Sequence, residues 1–275
     1  MTTSSRGTLA LLLRASHPAP ALAVTVIVST LAWRTGWEGR SLVVFALAML
    51  SGQLSVGWSN DAHDASTDRA AARQDKPVVA NALSVALLWR SAGVALIVAV
   101  GASLAAAGAA GLFHVLALTT AWAYNLKLSR TAWSWLPYAI AFGLLPLFIT
   151  YGLDPGSAPT WWSVFVFAAM GVAAHLANAA RDAQSDAQYG HRSAAISLGP
   201  RRTRLLSLGL LLLGTAVLVW QLWDGSPIEA MLIAIASLGA TVIAYVRPTV
   251  LFISMLLLAV IDVALLLTAD LSIVS

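Results

Sequence analysis

Nine apolar stretches of the chain are long enough to cross a membrane as α-helices. A helix needs about 20 predominantly apolar residues to span the hydrocarbon core of a bilayer. Hydrophobic residues make up 59% of the 275 residues and charged residues only 10%, whereas soluble domains carry about 25% charged residues. The sequence therefore predicts a single all-α transmembrane domain over 1–275, with nine transmembrane helices at 19–36, 41–58, 82–107, 110–127, 134–152, 160–180, 203–223, 228–246 and 248–270.

The distribution of Lys and Arg predicts the orientation of these spans. With the N-terminus in the cytoplasm, only Arg34 and Arg40 of the loop cations fall outside, and Arg90 lies within a span. This bias is typical of a multi-pass protein of the cell membrane. The pI of 9.9 arises from these short loops, so we expect no nucleic-acid partner. We expect the tryptophans near span ends to be interfacial anchors: Trp33, Trp37, Trp133, Trp135, Trp161, Trp162, Trp220 and Trp223.

A first polar segment, 59–76, follows directly on the second span and has a helix-compatible sequence. At about 100° per residue, and with Asn60 at zero, Asp64 lies near 40°, Asp68 near 80° and Asp61 near 100° on a helical wheel. These oxygen-bearing side chains therefore share one face. Gly57 falls on the same face one turn deeper, where we expect it to leave room beneath the carboxylates.

A second polar segment, 181–202, follows the sixth span in the same way. Asn178, Asp182 and Asp186 are spaced four residues apart, which again places them on one helical face. His175 falls on that face a turn deeper, and we consider a contact with an acceptor substrate there. Both polar segments lie on the cytoplasmic side in the predicted topology.

Carboxylates four residues apart repel one another and destabilise a helix by about 0.2–0.5 kcal/mol per pair. Hard oxygen ligands without cysteine point to Mg²⁺, and the chain contains no Cys. Because Mg²⁺ completes its shell with substrate phosphates, a diphosphate bridged between two acidic helices is the natural ligand. The alternative is a solvated face balanced by nearby arginines, but two separate carboxylate rows argue against it.

These residues resemble the signatures of a known family. Asn-Asp-x-x-Asp-x-x-x-Asp at 60–68, followed by Lys76-Pro77, resembles the first signature of the UbiA superfamily of intramembrane prenyltransferases. The pair Asp182-x-x-x-Asp186, followed by Gly190, resembles the second. Nine spans with signatures after spans two and six agree with that family's architecture, and the resemblance covers essentially the whole chain.

The resemblance implies a UbiA-like fold enclosing a central cavity that opens to lipid. It implies Mg²⁺ as cofactor, a prenyl diphosphate as donor and a small, hydrophobic, aromatic acceptor of the quinone-precursor type, with membrane lipid around the protein. The metal ligands would be Asn60, Asp61, Asp64, Asp68, Asp182 and Asp186. Asp64, Asp182 and Tyr124 would form the catalytic set.

The segment after the fourth span, Tyr124-Asn125-Leu126-Lys127 with Arg130, resembles the family's tyrosine-plus-basic segment. The cations here sit three and six residues past the tyrosine, whereas many members have a basic pair four or five residues past it. We expect Tyr124 to face the cavity and the diphosphate to be bound by cations from the set Lys127, Arg130, Arg73, Lys76 and Arg181.

Other functions remain open at this stage. A membrane terpene cyclase would use the same fold and metals, and transfer to a phosphoribosyl donor or a lipid alcohol would change only the acceptor. From a different class, a cation- or proton-coupled transporter would use acids within its spans. The acids here cluster at cytoplasmic ends instead, which argues against a transporter.

Overall fold

A computed structural model of the chain describes residues 5–73, 76–80, 82–153 and 158–247, together with 250, 254, 273 and 274. Within this part the only β-structure is an isolated bridge between Pro159 and Val274, so the predicted all-α class is confirmed. The helices are α1 Ser5–Ala15, α2 Pro18–Arg34, α3 Gly39–Ala70, α4 Val85–Ala107, α5 Gly111–Leu126, α6 Leu136–Gly143, α7 Leu145–Leu153, α8 Trp161–Gln188, α9 Ala194–Leu198, α10 Pro200–Leu222 and α11 Pro227–Val246.

The number of membrane spans differs from the prediction. In the described part, six helical segments are long and apolar enough to cross a membrane, or seven if α1 and α2, bent by 71°, form one span. The count of nine is therefore not confirmed. One of the six segments, Val85–Leu126, holds two of the predicted spans, and the stretch 248–270 lies outside the described residues.

The segment Val85–Leu126 is a helical hairpin of α4 and α5 rather than one long helix. Ser103 Oγ lies 2.7 Å from His114 Nδ1, whereas residues eleven apart in one continuous helix would be about 16 Å apart. The reversal is a 3₁₀ turn, Gly108–Ala110, and Gly108 has a positive φ of 55°. Gly111 then packs directly on the backbone of Ser103, so a larger residue there would separate the two helices.

The predicted span 134–152 is broken into α6 and α7 at Leu144. Pro146 lies in the first turn of α7 and has no N–H to donate to Phe142, and its ring clashes with the preceding helical turn. A continuous helix is therefore interrupted at this point, although Leu136–Leu153 as a whole is still long and apolar enough to cross a membrane.

Two of the tryptophans expected at the membrane interface lie in the core instead. Trp37 is 1% exposed and Trp162 5% exposed. The Trp37 ring packs against Phe45 and Phe148, with centroid distances of 4.8 and 6.3 Å, and its Nε1 donates to the carbonyl oxygen of Ile149 at 3.0 Å. A buried indole N–H needs such an acceptor, and these contacts hold α7 against the α2–α3 turn.

Large apolar side chains cover the outer faces of the helices. Ile97 on α4 is 73% exposed, and Ile228 and Ile235 on α11 are 67% and 61% exposed. Such a surface is unfavourable in water but suits the acyl chains of a bilayer. The arrangement is that of a multi-pass membrane protein.

Candidate active site

The first acidic segment continues α3 without a break, as predicted. This helix runs over 32 residues from Gly39 to Ala70, about 48 Å at 1.5 Å per residue. It therefore exceeds the roughly 30 Å of a hydrocarbon core, and its last turns carry the acids beyond the apolar region. The second segment continues α8 in the same way, but only as far as Gln188.

Lys76 ties together two of the carboxylates on α3. Its Nζ lies 2.9 Å from Asp61 Oδ1 and 2.8 Å from Asp68 Oδ2. His17 Nε2 also lies 3.0 Å from Asp61 Oδ1, and Arg73 Nη1 lies 3.6 Å from Asp68 Oδ1. Asp61, Asp68 and Lys76 are 1%, 4% and 7% exposed. These three groups therefore form a buried ion cluster, which we call the Lys76 cluster.

The pKa of Lys76 is shifted by its surroundings. Burial lowers this pKa, but the negative charges of Asp61 and Asp68 and their hydrogen bonds raise it by more, so it lies above its ordinary value. The ammonium group is thus held in its charged form by the two carboxylates. The sequence placed Lys76 among the cations for a diphosphate, whereas here its Nζ is engaged within the protein.

Gly57 does not leave a space beneath the carboxylates, contrary to expectation. A Cβ at this position would lie 2.5 Å from the carbonyl oxygen of Ser16, because the turn between α1 and α2 packs directly on α3 here. Trp58 Nε1 donates to the carbonyl oxygen of Leu12 at 2.8 Å. His17 in this turn has φ 54° and ψ 63°, a left-handed conformation that is uncommon for residues other than glycine.

Ser59, Asn60 and Asp64 of α3 contact α5 or the segment that follows it. Asp64 Oδ1 accepts from Arg130 Nη2 at 3.2 Å, and its Oδ2 accepts from Asn60 Nδ2 at 3.2 Å. Asn125 of α5 donates to Ser59 Oγ at 2.8 Å. The side chains of Asp64 and Arg130 are 25% and 38% exposed, so these groups remain accessible to a ligand.

Asn125 was not predicted as a site residue. It is 2% exposed, and besides Ser59 it donates to the carbonyl oxygen of Val56 at 2.9 Å. Its amide therefore fixes α5 against α3 directly beside Tyr124. A signal was present in the sequence, because a lone Asn within an apolar span must find partners.

In the second acidic segment, the structure describes the side chains of Asp186 and Arg181. The carboxylate of Asp186 is 35% exposed and lies 3.9 Å from His191 Nδ1. Arg181 is exposed, and its Nη2 donates to Asn178 Oδ1 at 3.0 Å. Lys127 is also exposed. The side chain of Asp182 lies outside the described residues, although its backbone belongs to α8.

Tyr124 lies between the two acidic segments. The negative charges of both Asp64 on α3 and Asp186 on α8 act on its hydroxyl group. Its ring contacts Tyr138 edge-on with centroids 5.0 Å apart, and it contacts His175 edge-on at 5.5 Å. One acid from each acidic segment therefore lies near Tyr124.

Two hydrogen bonds tie the loop after the second acidic segment to the segment after α5. The backbone N–H of Arg192 donates to the carbonyl oxygen of Arg130 at 3.0 Å. The N–H of Ala194 donates to Ser134 Oγ at 3.0 Å. Because Arg130 also contacts Asp64, the ends of α3 and α8 are joined through residues 130–134.

The donor atoms at this place suit a hard cation. In the described part of the chain, no three His, Asp or Glu side chains are grouped closely enough to hold a metal ion by themselves. Asn60, Asp64 and Asp186 still supply amide and carboxylate oxygens. Mg²⁺ binds proteins through one or two carboxylates and takes its other ligands from water and phosphate, so these residues fit Mg²⁺ held together with a phosphorylated substrate.

Comparison with known proteins gives one family match and several similar structures. The model of the UbiA prenyltransferase family matches residues 21–266. A UbiA homologue from Aeropyrum pernix K1 in its apo form is 18% identical, with a TM-score of 0.72 over 90% of this chain and 96% of that chain. A comparison with curated protein sequences gave no match.

Two further similar structures are informative, one because it contains bound ligands and the other because its name states an activity. A UbiA homologue from Archaeoglobus fulgidus bound to GPP and Mg²⁺ is 16% identical, with a TM-score of 0.71 over 93% of this chain and 97% of that chain. A digeranylgeranylglyceryl phosphate synthase is 15% identical, with a TM-score of 0.65 over 94% of this chain and 96% of that chain. At these identities the likeness establishes a shared fold.

Proposed function

Because the chain belongs to the UbiA prenyltransferase family, we propose that it transfers a prenyl group from a prenyl diphosphate to an aromatic acceptor of the quinone-precursor type. The observation that carries this proposal is that one acid from each segment, Asp64 and Asp186, lies near Tyr124 and that Arg130 contacts Asp64. A trianionic leaving group needs positive charge close to an apolar chamber. Arg130 supplies one positive charge here, and Mg²⁺ held by the two acids would supply the rest.

We assign Mg²⁺ binding to Asn60 and Asp64 on α3 and to Asp182 and Asp186 on α8. Asp61 and Asp68 were also expected as ligands, but the Lys76 cluster already neutralises their carboxylates. We therefore assign these two a structural role at the end of α3. When bound, the metal would neutralise the negative charge that develops on the departing diphosphate.

Arg130 is our main candidate for direct contact with the diphosphate. Its guanidinium is 38% exposed and already lies at Asp64, and an arginine fork binds phosphate oxygens in pairs. The exposed side chains of Lys127 and Arg181 are candidates for the outer phosphate, and Arg73 stands further off beside Asp68. Lys76 acts indirectly, by holding the end of α3.

The proposed reaction begins when the allylic C–O bond breaks and the diphosphate leaves with the electron pair. The tyrosine ring of Tyr124 faces the resulting allylic cation and stabilises it through its π-electrons. The ring carbon of the acceptor then donates an electron pair to form the new C–C bond, and the released diphosphate accepts the proton that the acceptor loses to restore aromaticity. The apolar lining excludes water, which would otherwise capture the cation.

The orientation of the protein is part of the proposal. We place it in the plasma membrane with its N-terminus in the cytoplasm, since Arg130, Arg181 and Arg192 then lie on the cytoplasmic side together with the acidic segments. The positive-inside rule supports this orientation. A water-soluble prenyl diphosphate would reach the site from the cytoplasm.

Purified protein in lipid nanodiscs tests the proposal. It is incubated with Mg²⁺, labelled prenyl diphosphates of several lengths and a panel of phenolic acids and naphthoates. We expect diphosphate release together with a prenylated aromatic product. Cyclised hydrocarbon from the donor alone would favour the terpene cyclase, and transfer only to glycerol phosphates would overturn the aromatic assignment. Absence of diphosphate release with every donor would overturn the proposal as a whole.

A further inference from the structure

A cluster of three rings lies behind the proposed reaction centre. His175 of α8 stacks on Tyr138 of α6 with centroids 4.6 Å apart and an interplanar angle of 29°. Tyr124 meets Tyr138 at 90° and His175 at 83°. Both tyrosines are partly exposed, whereas His175 is 1% exposed. The imidazole is therefore screened from a substrate by the tyrosines, and the contact with the acceptor considered from the sequence does not fit this burial.

One buried hydroxyl fixes the imidazole. Ser134 is 0% exposed, and its Oγ lies 3.0 Å from His175 Nε2. The same Oγ accepts the N–H of Ala194 at 3.0 Å. A serine hydroxyl that accepts one N–H still has its own proton and a second lone pair, so it forms a hydrogen bond with Nε2 in either tautomer of the imidazole. Ser134 Oγ therefore connects three parts of the chain: the segment before α6, the middle of α8 and the start of α9.

The packing of α6 on α8 supports the same ring positions. A Cβ on Gly171 would lie 2.7 Å from Phe142, so only glycine lets α6 come this close. Phe142 stacks on Tyr138 with centroids 6.3 Å apart and an angle of 14°. Because Gly171 and His175 are four residues apart on α8, as Tyr138 and Phe142 are on α6, the two pairs lie side by side.

We propose that Ser134 and His175 are positioning residues that fix the ring of Tyr124 toward the allylic group of the donor. This inference rests on the proposed function. The rings of His175 and Tyr138 both pack nearly perpendicular to the ring of Tyr124 and restrict its rotation. A cation is stabilised by an aromatic face but not by an edge, so a freely rotating Tyr124 would stabilise the developing charge less.

Three variants in nanodiscs test the inference. H175L removes the ring contact and the hydrogen bond, S134A removes only the hydrogen bond, and H175Q keeps a side-chain amide within reach of Ser134. We expect H175L to lower kcat roughly tenfold, which corresponds to about 1.4 kcal/mol in the barrier, with KM for the prenyl diphosphate within about twofold because the diphosphate is bound elsewhere. S134A should lower kcat by less than H175L does, and H175Q should retain most of the kcat that H175L loses.

A double-mutant cycle separates positioning from a general structural role. If His175 acts through Tyr124, H175L should lower kcat in the wild-type background but not further in Y124L, because the ring it positions is gone. The same loss in both backgrounds, a wild-type kcat in H175L, or a loss confined to KM would overturn the inference. A wild-type protein that releases no diphosphate would instead overturn the proposed function, and the inference with it.

Discussion

The guanidinium of Arg130 lies 3.2 Å from the carboxylate of Asp64, and the backbone carbonyl of Arg130 accepts a hydrogen bond from Arg192. One residue therefore touches the first acidic segment with its side chain and the loop after the second with its backbone. The two segments are far apart in sequence, since 114 residues separate Asp64 from Asn178 and 126 residues separate Asn60 from Asp186. Arg130 therefore connects the two acidic segments.

Replacing Asp64 should abolish turnover while the protein still inserts and folds. We expect Asp64→Ala to lower the rate of diphosphate release by roughly a hundredfold or more, the loss typical of removing one preorganised electrostatic partner. Asp182→Ala should act in the same direction. Release of labelled diphosphate measures the effect, and Asp224→Ala, an exposed acid in the α10–α11 turn, serves as a matched control. Wild-type turnover in both site variants would refute the metal assignment.

Chelation of divalent ions should stop the reaction reversibly. We expect EDTA to eliminate diphosphate release and added Mg²⁺ to restore it, because hard oxygen ligands such as Asn60 and Asp64 bind Mg²⁺ weakly without phosphate. Asp64→Asn should require a higher Mg²⁺ concentration for half-maximal rate than wild type. Full activity in EDTA would contradict this account of the site.

Removing Lys76 should destabilise the protein strongly. The change Lys76→Met leaves Asp61 and Asp68 buried without their shared counter-charge, and breaking a buried ion pair in this way costs about 3–5 kcal/mol. Thermal unfolding in detergent measures the loss. Lys127→Met, at an exposed position, is the matched control and should change stability by less than about 0.5 kcal/mol. A double change that also replaces Asp61 with Asn should recover part of the loss.

The Lys76 cluster also predicts how stability depends on alkaline pH. Because the pKa of Lys76 is raised above its ordinary value of 10.5, its stabilising contribution is present below that value and is lost as pH rises through the higher folded-state pKa. We expect the melting temperature of the wild type to fall in this range by more than that of Lys76→Met. Equal slopes in the two proteins above pH 10.5 would contradict the shift.

Gly57 should tolerate no larger side chain. In Gly57→Ala the new Cβ would meet the carbonyl oxygen of Ser16 at 2.5 Å, so the α1–α2 turn must move, at a cost of about 1–3 kcal/mol. Gly93→Ala on α4 is the control, since a Cβ there meets nothing within 4 Å and alanine favours a helix by about 1 kcal/mol. Equal changes of melting temperature in Gly57→Ala and Gly93→Ala would show that the backbone at Ser16 moves away from the new Cβ at little cost, which would contradict this prediction.

The sequence predicted the large elements of this site well. The continuation of α3 and α8 as helices beyond the membrane followed from the absence of Gly and Pro after the apolar runs. The positions of the polar residues on the helical wheel of α3 also match the two sets of contacts that these residues make in the structure. Asp64, near 40°, contacts Arg130 and also Asn60, near 0°. Asp68 and Asp61, near 80° and 100°, contact Lys76 instead.

Other features depend on contacts between distant parts of the chain. Nothing in the pattern around Asp61 shows that Lys76 folds back onto it, or that the turn at Ser16 fills the space above Gly57. The burial of Trp37 likewise depends on Ile149 in another helix. The break at Leu144 was a different case, because Pro146 lay within the predicted span and its missing N–H was a readable signal.

The Lys76 cluster has a consequence for how a donor arrives. Asp61 and Asp68 carry two negative charges, and Lys76 and the neighbouring Arg73 carry two positive ones, so the cluster together with Arg73 has little net charge when viewed from a distance. The exposed cations Lys127, Arg181 and Arg192, together with the acids Asp64 and Asp186, then contribute to the long-range field around the site. Electrostatic steering of an anionic donor toward such a site weakens as ionic strength rises, so capture of the donor slows in high salt even where the chemical step does not.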